Sequence, residues 1–210
     1  SNLRSFALLL MFGLSGWRVS EILEMQTQNI QTGEKTYTYV TTNNSDRPVK
    51  HTLPTNNHDA IVAYLTAANR TIHQQEYIWQ PITNVKRNNF TDAQKDRSTN
   101  RPIHRNSATG ILRRSLRRYY KIQFRQQGLN KEAAQNAAHI QAQKYTLNSL
   151  RHMAAQQLYT GSNNIQRVQQ LLNHKQIATT QRCLNNIAAD VETNDQILAR
   201  QLALTFPKNG

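Results

Sequence analysis

Gly13-Leu14-Ser15-Gly16-Trp17-Arg18-Val19-Ser20-Glu21-Ile22 is the stretch on which the reading of this 210-residue chain turns. Ahead of it, Leu3 to Leu14 is an apolar segment that Gly13 and Gly16 interrupt. Beyond the break, Val19 to Met25 resumes as a helix whose buried side is Val19, Ile22 and Leu23, carrying Ser20 and Glu21 with it. Arg18 therefore stands at a helix start. Taken alone, it reads as one more basic surface residue, or as the ion-pair partner of Glu21 three positions on.

Working outward, Thr36 to Thr42 is rich in Thr, Tyr and Val and reads as a strand. Asn43, Asn44, Ser45 and Asp46 supply turn chemistry, and Pro48 to Leu53 returns as a second strand, giving a β-hairpin. Pro54, Thr55 and Asn56 precede a helix with Ile61, Val62, Tyr64 and Leu65 on its apolar stripe. Residues 84–105 are polar, basic and without period, which predicts a long loop or insertion. Ser107 then caps a helix running to about Gln127. Its Ile111, Leu112, Leu116, Tyr119 and Ile122 face a core, while Arg113, Arg114, Arg117, Arg118, Lys121 and Arg125 cover much of the rest. Further helices are expected over Glu132–Gln143, Leu147–Tyr159, Asn164–Leu172 and Ile177–Asn185. An amphipathic helix over Ala188–Leu204 follows, within a terminal region spanning 186–210. The sum is a mainly α protein with one small antiparallel sheet (α+β), read as a single domain over 1–210.

Charge narrows the partners. Lys plus Arg number 26 against 12 Asp plus Glu, a net charge of +14. A domain this basic meets a polyanion, because release of condensed counterions drives its association with nucleic acid. No run approaches the roughly 20 apolar residues of a membrane span, and none has the pattern of a signal peptide. A cytoplasmic or nucleoid-associated protein is expected. One cysteine, Cys183, excludes an internal disulfide. No Gly-rich phosphate loop and no carboxylate cluster suited to magnesium is present, so neither cofactor nor metal is expected.

Far downstream lies a second informative set: Leu150-Arg151-His152, Leu171-Leu172-Asn173-His174-Lys175, and Thr179-Thr180. Together with the Gly13–Ile22 stretch, in this order and spacing, it resembles the tyrosine recombinase (phage-type integrase) family over nearly the whole chain. The first stretch is similar to the segment bearing that family's first catalytic arginine. The later ones resemble its second arginine box, its Leu-Gly-His turn and the Thr-Thr ahead of its nucleophile helix. The resemblance implies that Arg18 and Arg151 clamp the non-bridging oxygens of a phosphodiester with paired planar hydrogen bonds, as developing negative charge requires. It implies that His174 donates a further one. His152, beside the arginine, reads as a packed or helix-capping residue. Arg113, Arg114, Arg117, Arg118 and Lys121, with Lys175 and the 84–105 loop, would hold the DNA backbone.

Three positions depart from the family pattern. Its second box reads His-x-x-Arg, and here Asn148 precedes Arg151 by three; an amide donates hydrogen bonds but does not titrate near neutrality. Its hairpin turn carries a lysine, yet residues 41–47 hold none, and Lys35 and Lys50 lie outside the turn. Its tyrosine nucleophile is replaced by Cys183 in Thr179-Thr180-Gln181-Arg182-Cys183-Leu184, and no tyrosine follows Tyr159. A thiolate reaches less far than a phenolate, so Cys183 reads as a small packed residue or an altered nucleophile. It is either natural to a degenerate relative or a replacement that arrests cleavage.

The leading expectation is a recombinase-type domain that binds double-stranded DNA without cutting it and associates with itself or with a related recombinase. The family's amino-terminal clamp domain has no counterpart within the 210 residues. Two other classes stay open: a strand transferase using Cys183 or a nucleophile from another subunit, and a replication-initiator or RNA-binding module. The last would not need Arg18, Arg151 and His174 to converge.

Overall fold

A computed structural model describes residues 3–32, 37–42, 45–72, 75–81 and 100–190. The expectations for 84–99, for Lys35 and for 191–204 lie outside those residues. The interrupted apolar segment forms two helices, α1 (Leu3–Leu14) and α2 (Val19–Leu23). Helix α1 is the centre of the core: Ala7, Leu8, Met11 and Phe12 are essentially sealed from solvent. Burial of large side chains of this kind is worth roughly 1.5–3 kcal/mol each. Helix α1 packs on α2, on α3 (Thr55–Ala67), on α4 (Arg105–Gln126) and on α6 (Leu147–Ser162).

Three antiparallel strands in the order β1-β2-β3 lie beside α2: β1 (Ile30–Gln31), β2 (Tyr37–Thr42) and β3 (Ser45–Thr52). The hairpin is present, but Ser45 and Asp46 belong to β3, and Thr42 pairs with Ser45 across a register irregularity after Val40. The pairing of Thr38 with His51 brings β3 to the side of α2 that carries Glu21. The two-residue β1 is too short to leave an alternating pattern.

Helix α4 starts at Arg105, two residues before the expected cap. His104 is the N-cap, its Nδ1 accepting from Asn106 N–H at 3.2 Å. The reason is tertiary: Ile103 is buried and its N–H donates to Trp79 O at 2.6 Å, fixing where the chain turns into the helix. Ile122 departs from expectation at 51% exposed, while Tyr120 fills the core and its hydroxyl meets that of Tyr145 at 2.8 Å. Helix α5 (Lys131–Gln143) lies along α4 through Ala134, Ala138 and Ala142, small residues that let the backbones approach.

Thr146 and Ser149 form a reciprocal capping box at the start of α6, and Asn163 ends it in the left-handed conformation. Asn164 caps α7 (Ile165–Leu172), whose Val168 and Leu172 join Ala155 in a small second core that Leu158, Cys183 and Leu184 cover. Helix α8 (Ile177–Asp190) runs on past Asn185, so Ala188–Asp190 belong to it and do not open a separate helix. No helix among the described residues is long and apolar enough to cross a membrane.

Candidate functional site

The site is assembled around the carboxyl end of α7. Asn173 takes the left-handed conformation there (φ 50°), with its N–H bonded to Gln170 O and that of His174 to Gln169 O. This is a Schellman ending with asparagine in the glycine's usual place. The Gln169 side chain also donates to His174 O at 3.0 Å. Carbonyls left over at a helix end carry partial negative charge, and two guanidiniums come to them. Arg151 Nη2 donates to Leu172 O at 2.7 Å, and Arg18 Nη2 to Asn173 O at 3.3 Å. That shared electronegative end is what allows two like charges from α6 and from the α1–α2 turn to stand together.

The turn is shaped for this approach. Gly16 has φ +65°, and a Cβ there would lie 2.7 Å from Leu171 Cγ. Only glycine allows the first arginine's turn to press against α7 so closely. Arg18 is held on its other side by Glu21, whose carboxylate accepts from the Arg18 N–H at 2.6 Å and from Nη1 at 2.9 Å. The ion pair anticipated from sequence is therefore real, and it orients the guanidinium while Nη2 reaches α7. Glu21 is itself buried, with His51 Nε2 3.8 Å away and the His51 ring against Trp17 at 4.3 Å between centroids. Burial holds His51 below its ordinary pKa, partly offset by Glu21.

Arg151 is 8% exposed, and its Nη1 has no hydrogen-bond partner among the described residues. Burial, and then the charge of Arg18, push its pKa down to about 10, so it stays protonated at neutral pH. Its Nη2 also faces His174 Nε2 at 3.4 Å, and His174 Nδ1 meets the Oγ1 of fully buried Thr180 at 3.0 Å. Burial and the neighbouring arginines push the His174 pKa down. A guanidinium cannot accept, so Nε2 accepts from Arg151 and the proton sits on Nδ1, directed at Thr180. An anion drawn to the two arginines would compete for Arg151 Nη2 and favour a proton on Nε2, and the Thr180 hydroxyl can reverse its role to suit.

The structure thus brings Arg18, Arg151 and His174 together, with Asn148 exposed at the start of α6 beside them. His152 neither packs nor caps: it is exposed, with Nδ1 3.2 Å from Cys183 Sγ. Cys183 is half-buried against the second core, and burial raises its thiol pKa, with Arg151 pulling the other way. Lys175 is exposed on the turn after His174, whereas Lys50 is exposed on β3 opposite Tyr39. Among the described residues no group of three His, Cys, Asp or Glu side chains comes together in a way that could hold a metal.

Arg18, Asn148, Arg151 and His152 line an open cleft of about 950 Å3. Arg101, His104 and Arg105 line the same cleft; they close the 84–105 loop expected to hold DNA, though the sequence did not mark them individually. An aperiodic segment offers no signal of which side it faces. Arg113, Arg114, Arg117, Arg118 and Lys121 line none of this cleft. They follow α4 away from it, beginning roughly 12 Å along the helix from Arg105 at 1.5 Å per residue. At 100° per residue they share one arc, with the buried Ile111, Leu112, Leu116 and Tyr120 outside it.

The profile of the phage integrase family matches residues 1–188. No curated protein matches the sequence. Among solved structures, a XerA recombinase is similar over 99% of this chain and 58% of its own, at 19% identity and a TM-score of 0.56. The XerH site-specific recombinase bound to difH substrate, in a pre-cleavage complex, is similar over 90% of this chain and 45% of its own. The identity there is 14% and the TM-score 0.55. At such identities the likeness is one of fold, and this chain spans roughly half the length of those proteins.

Proposed function

Because the chain belongs to the phage integrase family, we propose that it grips double-stranded DNA in site-specific recombination or integration, as a single domain of catalytic type that lacks the cutting residue. The observation that carries this is the meeting of Arg18 and Arg151 at the end of α7, with Arg151 Nη1 without a partner among the described residues. A buried guanidinium N–H with no acceptor is costly, and a phosphate oxygen satisfies it. Arg18 and Arg151 then clamp one backbone phosphate, with His174 and Asn148 adding donors beside it. The basic arc of α4, Arg113, Arg114, Arg117, Arg118 and Lys121, together with Lys175, supplies contacts that give affinity and register without sequence information. Self-association, or pairing with a related recombinase on DNA, belongs to the same reading. So does a place of action in the cytoplasm or on the nucleoid.

Binding of a fluorescent 20-base-pair duplex, followed by anisotropy at rising KCl, tests the proposal. Affinity is expected to fall steeply with salt, and Arg18→Gln with Arg151→Gln to weaken it at every salt. Binding that hardly changes between low and moderate salt, or that ignores the double variant, sinks it.

One observation favours a second reading. His152 Nδ1 lies 3.2 Å from Cys183 Sγ, the spacing of an imidazole able to take a thiol proton. Burial raises the thiol pKa instead of lowering it, so the binding reading leads. A denaturing gel of the chain and of Cys183→Tyr with nicked DNA separates the two. An adduct with the cysteine form means that Cys183 or another residue cuts; an adduct confined to the tyrosine form leaves a competent phosphate site that lacks only its nucleophile.

A further inference from the structure

The cleft lined by Arg18 and Arg151 is also lined by Arg101 and Arg105. Asn100 fixes the base of their segment, with Oδ1 accepting from Tyr77 N–H at 3.1 Å and Nδ2 donating to Gln75 O at 3.3 Å. Ile103 is sunk in the core and bonded to Trp79 O. His104 closes the turn by capping α4. Between these anchors Arg101 and Arg105 are exposed to the cleft, and neither meets an acceptor among the described residues. The 22-residue α4 begins here with no acidic residue in its first turn, so the positive end of its dipole is not neutralised. Glu24 is the one acid among the lining residues, against Arg18, Arg101, Arg105 and Arg151. Placing Arg105 at a helix amino end is unfavourable for the helix alone, and an anion there relieves it.

We propose that Arg101, Arg105 and the amino end of α4 form a second phosphate subsite, holding a neighbouring phosphate of the same DNA strand whose central phosphate meets Arg18 and Arg151. This rests on the DNA-gripping reading above and deepens it: the cleft takes a segment of one backbone among four arginines, and the rest of the duplex stays outside. Arg151, 8% exposed, lines the same cleft.

The test is the salt dependence of binding to the 20-base-pair duplex, compared for the unmodified chain, Arg101→Gln/Arg105→Gln and Arg18→Gln/Arg151→Gln. Each lost phosphate contact is expected to flatten the slope of log K against log salt by about 0.9. Each pair holds one phosphate, so Arg101→Gln/Arg105→Gln should flatten it by about 0.9, as should the Arg18/Arg151 pair. Arg101→Lys/Arg105→Lys keeps the charge and should restore the slope. Both arginines are exposed, so these variants fold, and an unchanged melting temperature checks it. If Arg18→Gln/Arg151→Gln flattens the slope while Arg101→Gln/Arg105→Gln leaves it unchanged, the second subsite is wrong and the DNA-gripping reading survives. If only the Arg101/Arg105 pair matters, DNA lies outside the cleft and the subsite is again refuted. If the unmodified chain does not bind the duplex, both readings fall together.

Discussion

Gly16→Ala isolates the contact that brings the first arginine to α7. The new methyl would stand 2.7 Å from Leu171 Cγ and 2.9 Å from its Cδ2, against roughly 3.5–4.0 Å for relaxed carbon contacts. Turn or helix must therefore give by about an ångström. Overpacking of this kind costs roughly 1–3 kcal/mol. The backbone at φ +65° adds about 1–2 kcal/mol for any residue with a Cβ. Reduced freedom of the unfolded chain returns less than about 1 kcal/mol. The expected loss is about 2–4 kcal/mol, or roughly 4–16 °C in melting temperature for a chain of this size. Repeating the substitution in a Leu171→Ala background removes the collision and leaves the backbone cost, so Gly16→Ala should then lose only about 1–2 kcal/mol. Denaturant unfolding of the four proteins in this cycle measures the difference directly. An identical cost in both backgrounds would refute the argument, because it would mean Leu171 is not what the glycine makes room for. Leu172 and Asn173, next along the chain, accept from the two arginines, so the same variant should also weaken duplex binding.

Burial holds both His51 and His174 below their ordinary pKa. The unfolded chain therefore takes up protons first as pH falls through about 6.5. Stability should be fully present above about pH 7 and decline toward pH 5, read as a falling urea midpoint; a midpoint that holds or rises would contradict it. Cys183, with its thiol pKa raised by burial, should alkylate with iodoacetamide at pH 7.5 more slowly than a cysteine in an unstructured peptide, and urea should abolish the difference. Thr180→Val should cost about 1–3 kcal/mol by leaving the Nδ1 of His174 without its acceptor. Thr180→Ser should restore most of that loss, and equal costs for the two would show that the hydroxyl is not the reason for the threonine.

The elements that could be read in advance were those whose signal is local. The α1–α2 break shows because glycines interrupt an apolar run, and α2 shows its buried Val19, Ile22 and Leu23 at helical spacing. Elsewhere, tertiary contacts overruled local chemistry. Serine is the better N-cap, yet Ile103 bonded to Trp79 fixes the turn earlier and makes His104, three residues before Ser107, the cap. Ile122 obeys the α4 period but lies toward the end of the helix and is 51% exposed.

The site divides in the same way. The pairing of Arg18 with Glu21 is a three-residue spacing and was open to inspection. The meeting of Arg18 with Arg151, 133 positions later, has no trace in composition or periodicity; a family resemblance suggested it. Its physical cause lies in Asn173, whose left-handed backbone turns two carbonyls outward for the arginines to share. Asparagine tolerates that conformation nearly as well as glycine, which is why a Leu-Asn-His turn can do the work of a Leu-Gly-His one. A β-branched residue at 173 would pull the carbonyls away, and two unshielded guanidiniums would then repel each other. The arginines are thus held together by the end of a helix, and that arrangement does not depend on what stands at position 183.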